Sequence, residues 1–484
     1  MRIVFLTPEM WPFTPCGYLG EMACDLPAAL AAQGHELTVI SIKPRLSPPW
    51  EQVMLKTGLT FSVPVSWRNH QAEIYKYSPA SGIDGYFIYN QQLFDRDGLY
   101  GNAYGDYEDN SERFIFFSRA ALELLISLGS PPDIIHANNW TTGLVPLYLR
   151  SLYRDIPLFK DSASLITVHN LSNQGIFWHY DMPLTSLGWE YFNPDSIEFY
   201  GNINLLKAGL VYADMISFPS PGYQRQAMTP EYGYGLEGVL RARKDHIGAV
   251  LGGVNPGRWS PANAAELAAP YSRRDMEGKS ACARDLRERL GLPDSRRPLL
   301  AVIGRLGAKR GLEFLSESLG DIFALGLDVA VLGQMEHMAQ AMLEDYQKFF
   351  PQRLGFSMDL TPPAVQRFLA GSDMLLVYSP VAGEQHLHMC AQLYGTAPVA
   401  LDAGVMTDSI VEHTPDHPGT GFLFARPDKT SMLAALAQAV ACRNIPEQWQ
   451  GVMRRGMEQD FSWAEAARNY EELYRQAIIR HKEI

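Results

Sequence analysis

The sequence contains few cysteines, and their spacing indicates neither a disulfide framework nor a metal site. The 484 residues include an odd number of them, spread along the chain without a Cys-x-x-Cys pair: Cys16, Cys24, Cys282, Cys390 and Cys442. Neither a disulfide framework nor a zinc ribbon fits this spacing. We therefore expect free thiols in a reducing compartment.

An excess of positive charge is also missing. Lysine and arginine total 41 against 53 aspartates and glutamates, which gives a formal net charge of -12. Nucleic acids and anionic membranes require a broad basic surface, so this composition excludes them as general partners. A small anionic ligand needs only a few local cations and is not excluded.

Long hydrophobic runs and several catalytic signature sequences are absent as well. No segment approaches the roughly 18 apolar residues that cross a bilayer, and the first apolar run is too short for a signal peptide. The sequence has no Walker A loop, Gly-x-Ser-x-Gly elbow or His-Glu-x-x-His motif. We predict a soluble, cytoplasmic protein that uses none of these three mechanisms.

Short apolar runs do alternate with longer amphipathic stretches. Residues 2–6, 21–33 and 37–42 follow a strand–helix–strand pattern, which restarts with a strand at 298–303 and a helix at 311–325. Further strands are predicted at 328–332 and 374–377. Because a single core rarely exceeds about 300 residues, the sequence predicts two doubly wound α/β domains, with a boundary where Gly, Pro and Asn cluster at 252–262.

Three loops of the first half follow predicted strands, where parallel sheets bind their ligands. They are Thr14-Pro-Cys-Gly-Tyr-Leu-Gly20, His136-Ala-Asn-Asn-Trp140 and Thr167-Val-His-Asn170. Histidines at two equivalent strand ends, His136 and His169, favour a functional site. Each of them could equally be a structural histidine whose hydrogen bonds are satisfied at the end of its strand.

A cationic glycine-rich loop follows a strand of the second half. Its sequence is Gly304-Arg-Leu-Gly-Ala-Lys-Arg-Gly311, with cations at Arg305, Lys309 and Arg310. Glycines let backbone amides approach an anion, and the cations add positive potential. The sequence thus indicates a phosphate site, with a solvated polar turn as the alternative. The acidic pair of Asp95-Arg-Asp97 lies in a turn without further ligands, and we predict no metal there.

One segment is unusually rich in aromatic residues. Its side chains could stack on sugar rings, or pack in a core or loop: Phe177, Trp178, Tyr180, Trp189, Tyr191 and Phe192.

At these motifs the sequence resembles the bacterial glycogen synthase and plant starch synthase family. The matches run nearly end to end and in order: Phe94-Asp-Arg-Asp-Gly-Leu-Tyr-Gly101, Asp106-Tyr-Glu-Asp-Asn-Ser-Glu-Arg-Phe114, His169-Asn-Leu-Ser-Asn-Gln-Gly-Ile-Phe177, Glu198-Phe-Tyr-Gly-Asn-Ile-Asn204, Leu206-Lys-Ala-Gly209, Tyr234-Gly-Leu-Glu-Gly-Val-Leu240 and Asp460-Phe-Ser-Trp463. So many ordered matches are far more specific than any single loop.

The resemblance implies an α/β fold of two Rossmann-like, doubly wound domains facing across a cleft, the GT-B fold. It assigns residues 1–252 to the acceptor side, 253–460 to the nucleotide-sugar side, and 461–484 to a helix that crosses back to the first domain. The implied reaction transfers glucose from ADP-glucose to the 4-hydroxyl at the end of an α-1,4-glucan, with retention at the anomeric carbon. Partners are then a nucleotide sugar and the glucan, with no metal and no cofactor.

The same resemblance suggests the site residues. Catalytic roles fall to His169 and Glu384. Acceptor binding falls to His136, Asn139 and Trp140. Donor binding falls to a larger set: Gly17, Arg305, Lys309, Arg310, Tyr394, Gly395 and Thr396.

The sequence departs from the family where this chemistry should occur. The family's Lys-x-Gly-Gly-Leu is here Pro15-Cys-Gly-Tyr-Leu19, and its His-x-His-Asp-Trp is His136-Ala-Asn-Asn-Trp140. Leu-Asn-Gly-Val-Asp becomes Leu251-Gly-Gly-Val-Asn255, and the family's donor-contacting glutamate is Ala382, with Glu384 two residues away. Arg310 stands for a lysine, which keeps the charge and changes the geometry.

Three hypotheses follow from these departures. The chain is an active glucan synthase from ADP-glucose, a catalytically inactive homologue that binds glucan or serves as a scaffold, or a transferase with a changed nucleotide-sugar donor. Retained His169 and Arg305 favour the first hypothesis, and the losses at Pro15, Tyr18 and Ala382 favour the second.

Overall fold

The chain folds into two α/β units, Met1–Gly252 with Trp463–Ile484, and Gly253–Ser462. The computed structural model describes residues 1–14, 17–46, 48–78, 82–102, 105–263, 265–304, 312–333, 335, 337–378 and 386–483.

The first unit is built on a nine-stranded sheet with the order β14-β13-β9-β8-β1-β2-β5-β4-β3. Its strands are parallel from β14 to β5, and β4 and β3 add an antiparallel edge. A small antiparallel sheet has the order β10-β12-β11. The strands of the unit are β1 (Arg2–Leu6), β2 (Glu36–Ile42), β3 (Leu55–Val65), β4 (Arg68–Tyr77), β5 (Ile83–Tyr89), β6 (Gly101–Asn102), β7 (Gly105–Asp106), β8 (Ile134–Asn138), β9 (Ala163–Thr167), β10 (Ile176–Trp178), β11 (Glu198–Phe199), β12 (Asn202–Asn204), β13 (Met215–Phe218) and β14 (Ile247–Ala249).

Helices accompany this sheet, and their apolar faces form its core. Phe114, Phe116 and Phe117 of α4 are fully buried, and Gly129 ends that helix in the left-handed conformation (φ 69°), which glycine adopts without a steric cost. The helices are α1 (Tyr18–Ala32), α2 (Pro48–Glu51), α3 (Gln91–Phe94), α4 (Asn110–Leu128), α5 (Leu144–Arg150), α6 (Leu205–Tyr212), α7 (Pro221–Ala227) and α8 (Glu237–Ala242).

The second unit holds a six-stranded parallel sheet with the order β17-β16-β15-β18-β19-β20. The strands are β15 (Leu299–Ile303), β16 (Asp328–Leu332), β17 (Leu354–Ser357), β18 (Met374–Val377), β19 (Ala397–Leu401) and β20 (Phe422–Phe424). Its helices are α9 (Glu277–Arg289), α10 (Leu312–Ala324), α11 (His337–Phe349), α12 (Pro362–Gly371), α13 (Leu387–Leu393), α14 (Val405–Ser409), α15 (Lys429–Arg443) and α16 (Pro446–Met457).

A buried carboxylate ties several elements of the second unit together. Asp328, the first residue of β16, is fully buried and accepts hydrogen bonds from Arg287, Arg297 and Arg353 at 2.7–2.8 Å. Three cations around one carboxylate offset the cost of removing its charge from water.

The last helix, α17 (Trp463–His481), returns to the first unit and packs on α1 and β9. Its buried face carries Tyr470, Leu473 and Tyr474. At its end, His481 contacts the buried Asp214 with Nδ1 at 3.4 Å from Oδ1, and its Nε2 donates to the carbonyl of Lys160 at 3.1 Å. The helix therefore completes the core on one face of the sheet.

Several predicted elements appear in the structure with the predicted bounds or within one residue of them. Strands predicted at 2–6, 328–332 and 374–377 have those bounds, and the helix predicted at 311–325 spans Leu312–Ala324. Among the described residues, no helix is long and apolar enough to span a membrane. The four cysteines that the structure describes are free thiols.

Candidate functional site

The site candidates of the first unit gather at the carboxyl ends of its parallel strands. Tyr18 opens the helix after β1, Asn138 ends β8, and Asn139 follows it. His169 comes two residues after β9, and Gly252 comes three residues after β14. In the sheet β1, β8 and β9 are adjacent, and β13 separates β9 from β14, so residues far apart in sequence lie along one edge.

His169 is held by both asparagines that follow β8. Its Nε2 lies 2.9 Å from Oδ1 of Asn138, and its backbone N–H donates to Oδ1 of Asn139 at 2.8 Å. The amide of Asn138 is itself fixed, because its Nδ2 donates to the carbonyl of Leu6 at 3.0 Å. Asn139 has a φ of 56°, a conformation costly for most residues but tolerated better by asparagine. The two asparagines therefore fix both the ring and the backbone of His169.

The imidazole of His169 is neutral at physiological pH. Burial lowers its pKa to about 3, and only 6% of the residue is exposed. With Oδ1 of Asn138 as an acceptor, Nε2 carries the proton and Nδ1 is the acceptor nitrogen. Such a ring can accept a hydrogen bond from a hydroxyl but does not donate a proton as an acid near pH 7.

Two departures from the family motifs meet beside His169. The ring of Tyr18 stacks on Trp463 at 6.0 Å between centroids and approaches the ring of His169 edge-on at 6.3 Å. The Tyr18 hydroxyl lies 1.7 Å from the point where a Cβ on Gly252 would stand. A side chain at position 252 therefore requires Tyr18 to move, and the two departures depend on each other sterically.

The contacts of His136 favour the structural alternative over acceptor binding. His136 is fully buried, with Nδ1 at 2.9 Å from the hydroxyl of Tyr474 and Nε2 at 2.7 Å from Oγ1 of Thr167. Burial, and then the neighbouring His169, lower its pKa well below the ordinary value. Both ring nitrogens are thus used in contacts with the core.

Trp140 is also a core residue. It is 6% exposed and packs edge-on against Phe114, with Phe177 and Tyr100 nearby. A Cβ on Gly175 would lie 2.3 Å from its ring, so the loop after His169 is packed directly on Trp140. These contacts favour a packing role for Trp140 over the predicted contact with the acceptor.

Gly17 is the predicted donor-side residue that the described structure leaves accessible. It is exposed and precedes the first turn of α1 as its N-cap. The amino end of a helix carries partial positive charge and unpaired N–H groups, which suit an anion. Its predicted role in donor binding is compatible with this position.

The segment Tyr394-Gly-Thr396 is buried in the second unit. Lys279 donates to the carbonyl of Tyr394 at 3.0 Å and to Oγ1 of Thr396 at 2.9 Å, and burial lowers the lysine's pKa to about 8. Tyr271 donates to the same carbonyl at 2.9 Å. Gly395 is buried with a φ of 61°. These contacts favour a structural role for the three residues over the predicted donor contact.

Other predicted residues lie outside the described part of the chain. They are the cations Arg305, Lys309 and Arg310, the carboxylate Glu384, and the departures at Pro15 and Ala382.

The acidic pair in the turn after α3 is paired with a cation. Arg45 donates from Nε to Asp95 and from Nη1 to Asp97, both at 2.8 Å. The hydrogen bond from Arg45 to Asp95 lowers the pKa of this carboxyl below its usual range. Within the described ranges, no group of three or more His, Cys, Asp or Glu side chains could hold a metal ion.

Sequence reasoning missed two contributors to this site. It noted Asn138 only as the loss of a histidine, and the structure makes it the hydrogen-bond partner of His169. Trp463 entered only as part of a family motif, and the structure stacks it on Tyr18. The motif match was the signal that could have singled out Trp463.

The fold is that of the two-domain, GT-B glycosyltransferases. The solved catalytic domain of starch synthase IV from Arabidopsis thaliana, bound to ADP and acarbose, matches with a TM-score of 0.90 and 26% identity. The match covers 99% of each chain. The predicted fold class is confirmed.

Sequence comparisons define the family within this class. The family model of the starch synthase catalytic domain matches residues 2–242. Glycogen synthase from Myxococcus xanthus (strain DK1622) is 36% identical over 99% of this chain and 100% of its own length. Glycogen synthase from Anaeromyxobacter sp. (strain Fw109-5) is 34% identical over 98% of this chain and 99% of its own length. The chain belongs to the glycogen and starch synthase family of hexosyltransferases, which elongate glucan chains, as its motifs predicted.

Proposed function

We propose that this protein elongates α-1,4-glucan by transferring glucose from ADP-glucose, in the cytoplasm and without a metal ion. The observation that carries the proposal is the end-to-end similarity to glycogen synthases, with 36% identity over 99% of the chain. The ADP bound to the similar starch synthase IV supports adenosine diphosphate as the leaving group. In the reaction, the bond from the anomeric carbon to the phosphate oxygen breaks, a bond to the acceptor 4-hydroxyl oxygen forms, and ADP and the proton of that hydroxyl are released.

The first unit supplies His169 to this reaction. Its ring is neutral, and Asn138 and Asn139 act as positioning residues that fix its orientation. The exposed Gly17 at the amino end of α1 adds a place where a phosphate can approach the backbone.

In this proposal the second unit supplies the positive charge that stabilises the departing phosphate. Arg305, Lys309 and Arg310 stabilise the negative charge that develops on the departing phosphate, and Glu384 takes the place of the family's glutamate at position 382. Loss of one such charge-stabilising group costs about 3 kcal/mol of barrier, so Arg305→Ala should lower kcat by roughly a hundredfold.

Incorporation of labelled glucose tests the proposal. The full chain is incubated with glycogen and either ADP-glucose or UDP-glucose carrying radiolabelled glucose, with Arg305→Ala as the low-activity control. We expect incorporation from ADP-glucose and little from UDP-glucose. Transfer only from UDP-glucose would establish a changed donor, and no transfer from either would contradict a synthase.

A second candidate function is that of a glucan-binding protein without catalysis. The observation that favours it is Tyr18, whose ring occupies the space beside His169 where the family has glycine. Calorimetry separates the two functions, because the second one predicts binding of maltoheptaose and no binding of ADP-glucose.

A further inference from the structure

An exposed cluster of rings lies on the first unit, within residues 178–192. Trp178, Tyr180 and Trp189 are 62%, 61% and 53% exposed, although large aromatic side chains usually bury most of their surface. We call Trp178, His179, Tyr180, Trp189 and Phe192 the aromatic surface. Their rings form a continuous series: Trp178 is 4.5 Å from Tyr180, His179 is 4.2 Å from Tyr180 and 6.2 Å from Phe192, and Trp189 is 5.6 Å from Phe192.

The aromatic surface rests on a fixed base. In β10, Phe177 packs inward on Trp140 at 5.6 Å, so the next residue, Trp178, faces outward. The turn that follows is anchored by the fully buried Met182 and by Thr185, whose carbonyl accepts a hydrogen bond from Tyr148 at 3.0 Å. The exposure is therefore a feature of the fold and not of a loose loop.

The charges around these rings indicate what they bind. Residues 176–204 contain four carboxylates, Asp181, Glu190, Asp195 and Glu198, and no lysine or arginine. Lys207, the nearest cation along the chain, is 5% exposed and donates to the carbonyls of Pro194 and Glu198. Arg119, which donates to Oγ of Ser186 within this segment at 2.8 Å, is 8% exposed, so both cations are buried beneath the surface. An acidic surrounding repels nucleic acids and phosphorylated ligands. It tolerates a neutral polymer.

A glucan has the chemistry that matches such rings. The C–H groups on the faces of a pyranose carry partial positive charge and pack on the negative face of an aromatic ring, while its hydroxyls reach polar groups at the rim. Glu190 and the ring nitrogens of His179 supply such polar groups. The position along the chain also fits, because β10 begins seven residues after His169 and Gly175 between them is packed on Trp140.

We propose that the aromatic surface binds an internal stretch of α-1,4-glucan, outside the site where transfer occurs. The inference rests on the proposed function in one respect, since it takes the same polymer as the ligand. It predicts that affinity depends on glucan length, because a short oligosaccharide cannot occupy both the reaction site and the aromatic surface.

The test compares Trp178→Ala/Tyr180→Ala and Trp189→Ala with Phe349→Ala. Phe349 is 80% exposed on the second unit and serves as the matched control. Binding to glycogen is measured by retardation in native gels, and transfer is measured on glycogen and on maltotriose. We expect the aromatic-surface variants to bind glycogen about tenfold more weakly, with transfer to maltotriose and thermal unfolding unchanged.

Each other outcome has a defined meaning. If no chain transfers glucose, the proposed function fails, and glycogen binding alone still decides on the aromatic surface. Glycogen binding equal to that of the natural chain overturns the inference, and loss of self-association in light scattering would then assign these rings to protein contacts. An equal loss in Phe349→Ala, or an equal loss of transfer to maltotriose, overturns it as well.

Discussion

Tyr18 and Gly252 show how two substitutions at distant positions form one structural change. Each alone looks like damage to a family motif, the first adding a ring and the second removing a side chain. In the structure the hydroxyl of Tyr18 fills the space that a side chain at 252 would use. The edge of the sheet beside His169 is thus closely packed, and the site has been reshaped there.

This steric dependence predicts non-additive stabilities. Gly252→Asn should lower the melting temperature of the natural chain strongly, because its Cβ would stand 1.7 Å from the Tyr18 hydroxyl. In a Tyr18→Gly background the same substitution should cost much less, with a coupling free energy of roughly 1–3 kcal/mol. Differential scanning calorimetry of the four variants measures the coupling.

Gly238→Asn is the control for this cycle. A Cβ at Gly238 meets no atom within 4 Å, so its effect should be the same with either residue at position 18. Additive effects at positions 18 and 252 would show that the two residues do not interact.

For individual residues, the sequence predicted the position in the fold better than the side-chain contacts. His169 could be placed at a strand end because the apolar run before it predicts a strand. The contact between Tyr18 and Gly252 could not be predicted, because it depends on the packing of β1, β9 and β14 into one sheet edge. The sequence predicted His136 and His169 at equivalent strand ends, whereas in the structure His136 is the third residue of β8. Its two ring nitrogens contact Thr167 and Tyr474.

Among the elements, helix α17 has a pH-sensitive attachment. His481, close to the helix end, contacts Asp214, which also pairs with Arg150 and accepts hydrogen bonds from Ser164. The hydrogen bond to Asp214 raises the pKa of His481 above 6.5, against the opposing effect of burial. The protonated ring therefore stabilises the docking of the helix.

The sign of this pKa shift fixes the pH range of the effect. Because the folded pKa lies above the unfolded value of 6.5, the contribution is complete below pH 6.5 and is lost as the pH rises through the folded pKa. We expect faster hydrogen exchange in α17 above that range. His481→Gln should remove this pH dependence, whereas His417→Gln, at an exposed position of the second unit, should keep it.

The long strands could be predicted from simple patterns of apolar residues, and the short strands could not. Strands such as β1 and β16 consist of one charged residue followed by four apolar residues, so their bounds could be predicted from the sequence. The sheet of β10, β11 and β12 has strands of two or three residues that alternate weakly, and its register is set by contacts with the rest of the unit. Its exposed rings were consequently an ambiguous signal in the sequence.

For the whole molecule, buried neutral histidines set the response to acid. Burial lowers the pKa of His169 and His388 to about 3 and that of His136 well below 6.5. The unfolded chain binds protons at these positions below pH 6.5, and the folded chain does not until far lower pH. Stability should therefore fall between pH 6.5 and 4.5, by up to about 1.4 kcal/mol per pH unit for each histidine.

Thermal unfolding from pH 7.5 to 4.5 measures this loss. Nε2 of His388 forms a hydrogen bond with Oγ of Ser409 at 2.6 Å. His388→Gln should therefore lower the stability of the second unit at pH 7.5 and make that stability less dependent on pH. A melting temperature constant across this range would contradict the assignment of neutral, buried rings.

The return of α17 to the first unit also bears on how the chain is made. The ribosome completes residues 253–462 before it reaches this helix, and until then the sheet lacks the cover that Tyr470, Leu473 and Tyr474 provide. Through that interval an apolar face of the nascent chain stays open to water and to other chains. Chaperone demand during synthesis should accordingly fall on the first unit rather than on the second, although the first is translated earlier.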